Sequence, residues 1–135
     1  MTDRQEITSY LQKANESLDG AESELENRRF NNCANRCYYA CFQAAIAALL
    51  AAGIQTRSPG GHWRHEQIQA QFIGQLINRR RLYPPTLRRA LSENMRLRQT
   101  ADYETSTISE IQAHRAVRRT REFVEAVRKE IGITP

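Results

Sequence analysis

Ile7, Leu11, Ala14, Leu18, Ala21 and Leu25 recur at spacings of four, three, four, three and four. That period lines up one apolar stripe on a helix of about residues 3–28 and leaves its other face acidic and solvated. A second stretch begins at Asn31 and Asn32, which suit a helix N-terminus. It runs through Arg36, Tyr39, Phe42, Ile46 and Leu49 to Gly53, where a helix C-terminus prefers glycine. The period-two alternation of a half-buried strand is absent. A chain patterned in this way must bury its stripes helix against helix.

Ser58, Pro59, Gly60 and Gly61 read as a loop. Ile68, Phe72, Leu76 and Ile77 then mark a third helix over about 65–78, which ends in Arg79, Arg80 and Arg81, basic residues suited to a helix C-terminus. Tyr83-Pro84-Pro85 breaks the pattern, and a fourth helix with Pro85 near its first turn carries Leu87, Leu91 and Met95 to about Arg98. Ser106 and Thr107 are capping candidates for a final helix bearing Ile108, Ile111, Val117, Phe123, Val124, Val127 and Ile131. Four to five helices with short or medium connections predict an all-α fold, an antiparallel up-and-down bundle. No repeat or linker divides the 135 residues, so one domain over 1–135 is expected, large enough to bury a core without disulfides or a structural metal.

The 20 residues Cys37–Thr56 carry no charge and match a bilayer span in length. Their alanines, with Tyr38, Tyr39, Gln43, Gly53 and Gln55, make the segment much less apolar than a membrane helix, and it reads as the central helix of a soluble bundle. Met1–Arg4 runs straight into a charged amphipathic segment with no apolar signal-peptide core. The expectation is a cytoplasmic protein with no membrane contact.

Charge narrows the partners. Of 20 basic residues only Lys13 and Lys129 are lysine, and the rest are arginine, the residue of forked carboxylate and phosphate contacts. Residues 1–30 hold seven acids and four bases, whereas nine arginines and only Glu66 and Glu93 lie between Arg57 and Arg98. Such a surface complements nucleic acid, a nucleotide or an acidic protein.

Cys33, Cys37 and Cys41 share one helical face, but with no paired CxxC and no fourth cysteine they read as small core residues in a reducing compartment. His62, Trp63, His65 and Glu66 form an H-W-x-H-E run whose spacing fits neither H-E-x-x-H nor H-x-x-E-H, and Glu110 and His114 do not make a di-iron E-x-x-H. No metal site and no cofactor are expected. A capping or packing role is assigned to His65 at the start of the third helix.

Two motifs remain. Arg36-Cys37-Tyr38-Tyr39-Ala40-Cys41-Phe42 reads R-x-Y-Y-A-x-F, and Arg98-Gln99-Thr100-Ala101-Asp102-Tyr103 reads R-x-x-A-D-Y. Together with the intervening glycine and the histidine before a short helix, they resemble the HEPN domain family of helical bundles over about residues 5–131, specifically its R-x-x-A-D-Y branch. The resemblance implies a homodimer encoded beside a minimal nucleotidyltransferase, in many cases the toxin of a toxin–antitoxin pair. It also implies a metal-independent endoribonuclease in active members, where an arginine is followed four to six residues later by a histidine. Arginine holds the scissile phosphate, while histidine shuttles a proton during attack by the ribose 2′-hydroxyl.

Here no histidine follows Arg96 or Arg98 within six residues, and Asp102 stands in its place. Arg96, Arg98, Asp102 and Tyr103 are therefore the candidate catalytic group, with Asp102 also readable as the ion-pair partner of Arg98 or Arg36 and Tyr103 as a packed anchor beside it. Related toxins are modified with AMP on a tyrosine near the position of Tyr103. Arg36, Arg79, Arg80, Arg81, Arg88 and Arg89 are candidates for binding RNA, a nucleotide or a partner protein. Two functions stay open: an RNA- or nucleotide-associated subunit with ribonuclease activity, and a non-catalytic accessory subunit whose basic face docks an acidic partner.

Overall fold

The computed structural model describes residues 3–55 and 64–132. Its elements are α1 (Asp3–Glu26), α2 (Phe30–Ala51), α3 (His65–Gln71), a π-helical continuation of α3 (Phe72–Arg79), α4 (Leu87–Tyr103) and α5 (Glu110–Ile131). The described residues contain no strand. The architecture is the expected all-α bundle. The expected Ser58–Gly61 loop lies outside the described residues, as do His62 and Trp63.

α2 is the central element and packs against every other helix, most extensively α1, then α5 and α4. The uncharged stretch explains this placement: Ala40, Ala44, Ala45, Ala47 and Ala48 are fully or almost fully buried, and their small side chains let neighbouring helices approach from several sides. α1 turns into α2 through Asn27, Arg28 and Arg29. Arg28 adopts a left-handed backbone (φ +60°), and the Arg29 amide donates back to the Glu24 carbonyl. This ends α1 without the usual glycine.

The apolar core forms two clusters. The larger joins Leu11, Ile46, Leu49, Phe72, Leu76 and Phe123, with the Phe72 ring 5.1 Å from Tyr83 and 5.0 Å from Phe123. The smaller joins Ala21, Cys33, Cys37, Leu97, Ile108, Ala113 and Val117. All three cysteines are free and buried, as core residues. Between the clusters runs a polar seam. Buried Asn94 donates to Thr120 Oγ1 at 2.9 Å and to the Cys37 carbonyl and Cys41 Sγ at longer range, and accepts from Arg119 Nη2 at 3.1 Å. One amide thus ties α2, α4 and α5 together.

Several local expectations need correction. α2 begins at Phe30 with Arg29 at its N-cap and no side-chain cap bond, so Asn31 and Asn32 lie inside the first turn; Asn31 Oδ1 accepts from the Ile108 amide, and Asn32 hydrogen-bonds to Glu24. The cap of α5 is Ser109 rather than Ser106 or Thr107. Its hydroxyl accepts from the Gln112 amide while Gln112 Oε1 accepts from the Ser109 amide, a reciprocal capping box. Arg64, not His65, occupies the N-cap of α3 and makes no side-chain cap bond. The third helix widens from Phe72, with the Arg80 amide reaching the Gln75 carbonyl and the Leu82 amide the Leu76 carbonyl. Phe72, Leu76 and Ile77 are all buried there. α4 continues past Arg98 to Tyr103, which puts the whole second motif on one helix.

Candidate functional site

The two motifs meet where α2 and α4 pack and the first residue of α3 joins them. Tyr38 and Phe42 stand one turn apart on α2, and Tyr39 is the neighbour of Tyr38 in the chain. Their rings form a platform, with Tyr38 5.1 Å from Tyr39 edge-on and 6.0 Å from Phe42 stacked. Tyr38 is buried, whereas Tyr39 and Phe42 are half-buried.

Arg98 lies across this platform, its guanidinium carbon 4.8 Å from the Tyr38 ring centre and 5.7 Å from that of Tyr39. Such contacts hold a cation over an aromatic face. Its Nε is 3.6 Å from Asp102 Oδ2, one helical turn on, and is buried without a hydrogen-bond acceptor in good geometry. The Asp102 carboxylate also accepts from Asn35 Nδ2 at 2.9 Å. Asp102 is therefore the partner of Arg98, of the two arginines open to it. No described residue accepts a hydrogen bond from the Nη groups of Arg98, and a guanidinium edge of this kind suits a forked contact with an oxyanion.

His65 completes the cluster. Its ring stacks on Phe42 at 4.3 Å and on Tyr38 at 5.4 Å, and its Nδ1 is hydrogen-bonded to the Tyr38 hydroxyl. The packing role expected of His65 is real, but its surroundings add more. Partial burial, reinforced by the nearby Arg98 charge and opposed by Glu66, holds its pKa below the usual histidine value. The ring is thus neutral near pH 7, and the tautomer that donates from Nδ1 to Tyr38 leaves the Nε2 lone pair available. Burial raises the Tyr38 hydroxyl well above an ordinary phenol, so it stays protonated. In that tautomer a proton acceptor and a guanidinium edge share one tyrosine ring.

The other expected residues are distributed differently. Arg96 is exposed and paired with Glu93 at 2.8 Å, away from the platform. Tyr103 is 78% exposed instead of packed beside Asp102. Arg79, Arg80, Arg81, Arg88 and Arg89 are exposed. Arg80 donates to the Ala52 carbonyl and Arg88 to Asn78 Oδ1, so both are partly committed within the bundle. This basic strip starts at the opposite end of α4 from Arg98, about 15 Å away along the helix. A surface groove of about 710 Å³ between α1 and α5 is crossed by the Arg28–Glu110 and Arg121–Glu22 ion pairs and contains none of the motif residues.

Arg36 lies beside a smaller groove of about 440 Å³, together with Gly20, Glu24, Asn32, Asn35 and Tyr39. Its aliphatic stem rests against α1, where a Cβ placed on Gly20 would meet Arg36 Cδ at 3.5 Å. Glu24 is held ionised by the Asn32 amide and by Arg29.

Sequence reasoning missed His65 as a member of this site because its partners stand on two other helices. The available signal was the aromatic triplet Tyr38, Tyr39 and Phe42 in an otherwise alanine-rich helix. A family model described as HEPN domain matches residues 7–130 of the chain. No curated protein matches it.

Proposed function

The chain belongs to the HEPN domain family, and from that premise we propose that it is an RNA-associated subunit that cleaves RNA without a metal ion, using Arg98 and His65. The observation that carries this reading is the shared platform: the Arg98 guanidinium and the His65 imidazole both lie against Tyr38. Arg98 binds the nonbridging oxygens of the scissile phosphate and stabilises the charge that develops there. His65 Nε2 takes the proton of the ribose 2′-hydroxyl as that oxygen attacks phosphorus. The bond from phosphorus to the 5′-oxygen breaks, the protonated imidazole returns a proton to the leaving oxygen, and the products are a 2′,3′-cyclic phosphate and a 5′-hydroxyl. Asp102 and Asn35 position Arg98.

In this reading the chain is a member of the R-x-x-A-D-Y branch, a cytoplasmic homodimer, and one half of a toxin–antitoxin-type pair with a minimal nucleotidyltransferase. The exposure of Tyr103 supports it as the residue that such a partner would modify with AMP. A light-scattering mass at the monomer value across micromolar concentrations would remove the dimer. An unchanged intact mass after incubation with the adjacent nucleotidyltransferase and ATP would remove the modification.

The decisive measurement is incubation of single-stranded RNA with the protein in EDTA. Cleavage with a cyclic-phosphate end is expected, abolished in folded Arg98→Ala and reduced at least a hundredfold in His65→Gln. A second reading is favoured by Asp102 in the motif-histidine position and by the separate strip of Arg79, Arg81 and Arg89. It makes the chain a non-catalytic subunit whose basic face docks an acidic protein. Intact RNA together with co-purification of the partner, weakened by reversing those three charges, would select it.

A further inference from the structure

The 440 Å³ groove between α1 and α2 opens beside Tyr39, the same ring that lies 5.7 Å from the Arg98 guanidinium. A ligand anchored at Arg98 that extends past Tyr39 enters this groove. Its lining is wrong for a second phosphate, because the ionised Glu24 carboxylate is part of it. It is right for a flat heterocycle with polar edges. Tyr39 offers a half-buried ring face, no described residue hydrogen-bonds to the Tyr39 hydroxyl, and Asn35 Oδ1, with the polar atoms that Asn32 and Glu24 keep beyond their mutual bond and the Arg29 pair, meets a polar edge. Stacking on an aromatic side chain combined with hydrogen bonds to base edges is the general mode of single-stranded RNA recognition.

We propose that this groove receives the nucleobase of the ribonucleotide whose phosphate lies at Arg98. Tyr39 stacks on the base, Asn32, Asn35 and Glu24 meet its edge, and the Arg36 stem closes one side. Gly20 is the position that keeps the groove open: it sits inside α1 with only the flexible Arg36 side chain near the place of its missing Cβ. The proposal rests on the reading of this chain as an RNA-associated protein, and its test separates the two.

The experiment compares binding of a single-stranded RNA oligonucleotide with that of an abasic ribose-phosphate strand of the same length, by fluorescence anisotropy at fixed moderate salt. The wild-type protein is expected to prefer the base-bearing strand by about tenfold, the order of one stacked base. Gly20→Leu fills the groove from the α1 side and should bring the two affinities together without weakening the abasic strand. Tyr39→Leu should also remove the preference, and Arg98→Ala should weaken both strands. Thermal melts of each variant confirm that it is folded. A tenfold preference that survives in both Gly20→Leu and Tyr39→Leu places the base elsewhere and overturns the groove assignment. Failure of the wild-type protein to bind either strand overturns the RNA reading and the groove with it.

Discussion

Asp102 holds Arg98 by its Nε edge, 3.6 Å away, while leaving both Nη groups of the same guanidinium without an acceptor among the described residues. A bidentate carboxylate would have consumed the fork. The side-on arrangement keeps the arginine oriented across Tyr38 and still able to receive an anion. Asp102→Asn removes the charge but retains an oxygen for Asn35. Cleavage is expected to fall about tenfold in kcat, with KM unchanged or lower because one local negative charge is gone. Since the pair is partly solvated, the stability change should stay below about 1 kcal/mol. Steady-state kinetics and urea titration of the same variant check both statements.

The pH dependence follows from His65. Its pKa is depressed on folding, from a usual value of about 6.5, so the base form predominates at neutral pH and cleavage rises with pH to a plateau whose midpoint lies below 6.5. The stability effect has a definite sign. The unfolded state binds the proton more readily, so the native state is fully stable above about pH 6.5 and loses stability as pH falls through the depressed value. Urea midpoints between pH 7 and pH 5 should show this decline, with a smaller one in His65→Gln.

Asn94→Ala should destabilise the protein by about 2 kcal/mol, because it removes the partner of Thr120 Oγ1 and Arg119 Nη2 in a buried setting and leaves a void. The loss exceeds that of an exposed polar residue because Asn94 is only 1% exposed. Chemical denaturation measures it directly, and RNA affinity should be unchanged once the variant is folded.

Arg28→Gly should stabilise the protein by about 0.5–1 kcal/mol. The left-handed backbone at Arg28 costs an L-residue about 1–2 kcal/mol. The exposed ion pair with Glu110 that is lost returns only part of that. A raised melting temperature with an unchanged far-ultraviolet spectrum is the expected result.

The long helices were legible because each carries an apolar stripe of helical period, and α1 shows it over six positions from Ile7 to Leu25. The widening of the third helix was not, since Ile68, Phe72, Leu76 and Ile77 fit an α-helical face as well as the π-helical one that forms. Asn94 escaped notice although it stands on the same face as Leu87 and Leu91, where a polar residue signals a buried hydrogen-bond network. Arg98 and Asp102 were found because the motif places them one turn apart. His65 was assigned only a packing role, because a residue's electrostatic neighbours depend on tertiary contacts that sequence spacing does not record. The exposure of Tyr103 had the same cause: it lies in the last turn of α4, and the periodicity stops short of it.

The central position of α2 also sets an order of events when the chain folds. α1 and α2 are joined by a tight turn and share the most extensive interface, so their pairing closes only a short loop and can form early. Tyr38, His65 and Arg98 come from α2, α3 and α4 and meet only after much longer loops have closed. A nascent or partly unfolded chain is therefore expected to form its helical hairpin before its site, which would make activity of that site a late reporter of complete folding.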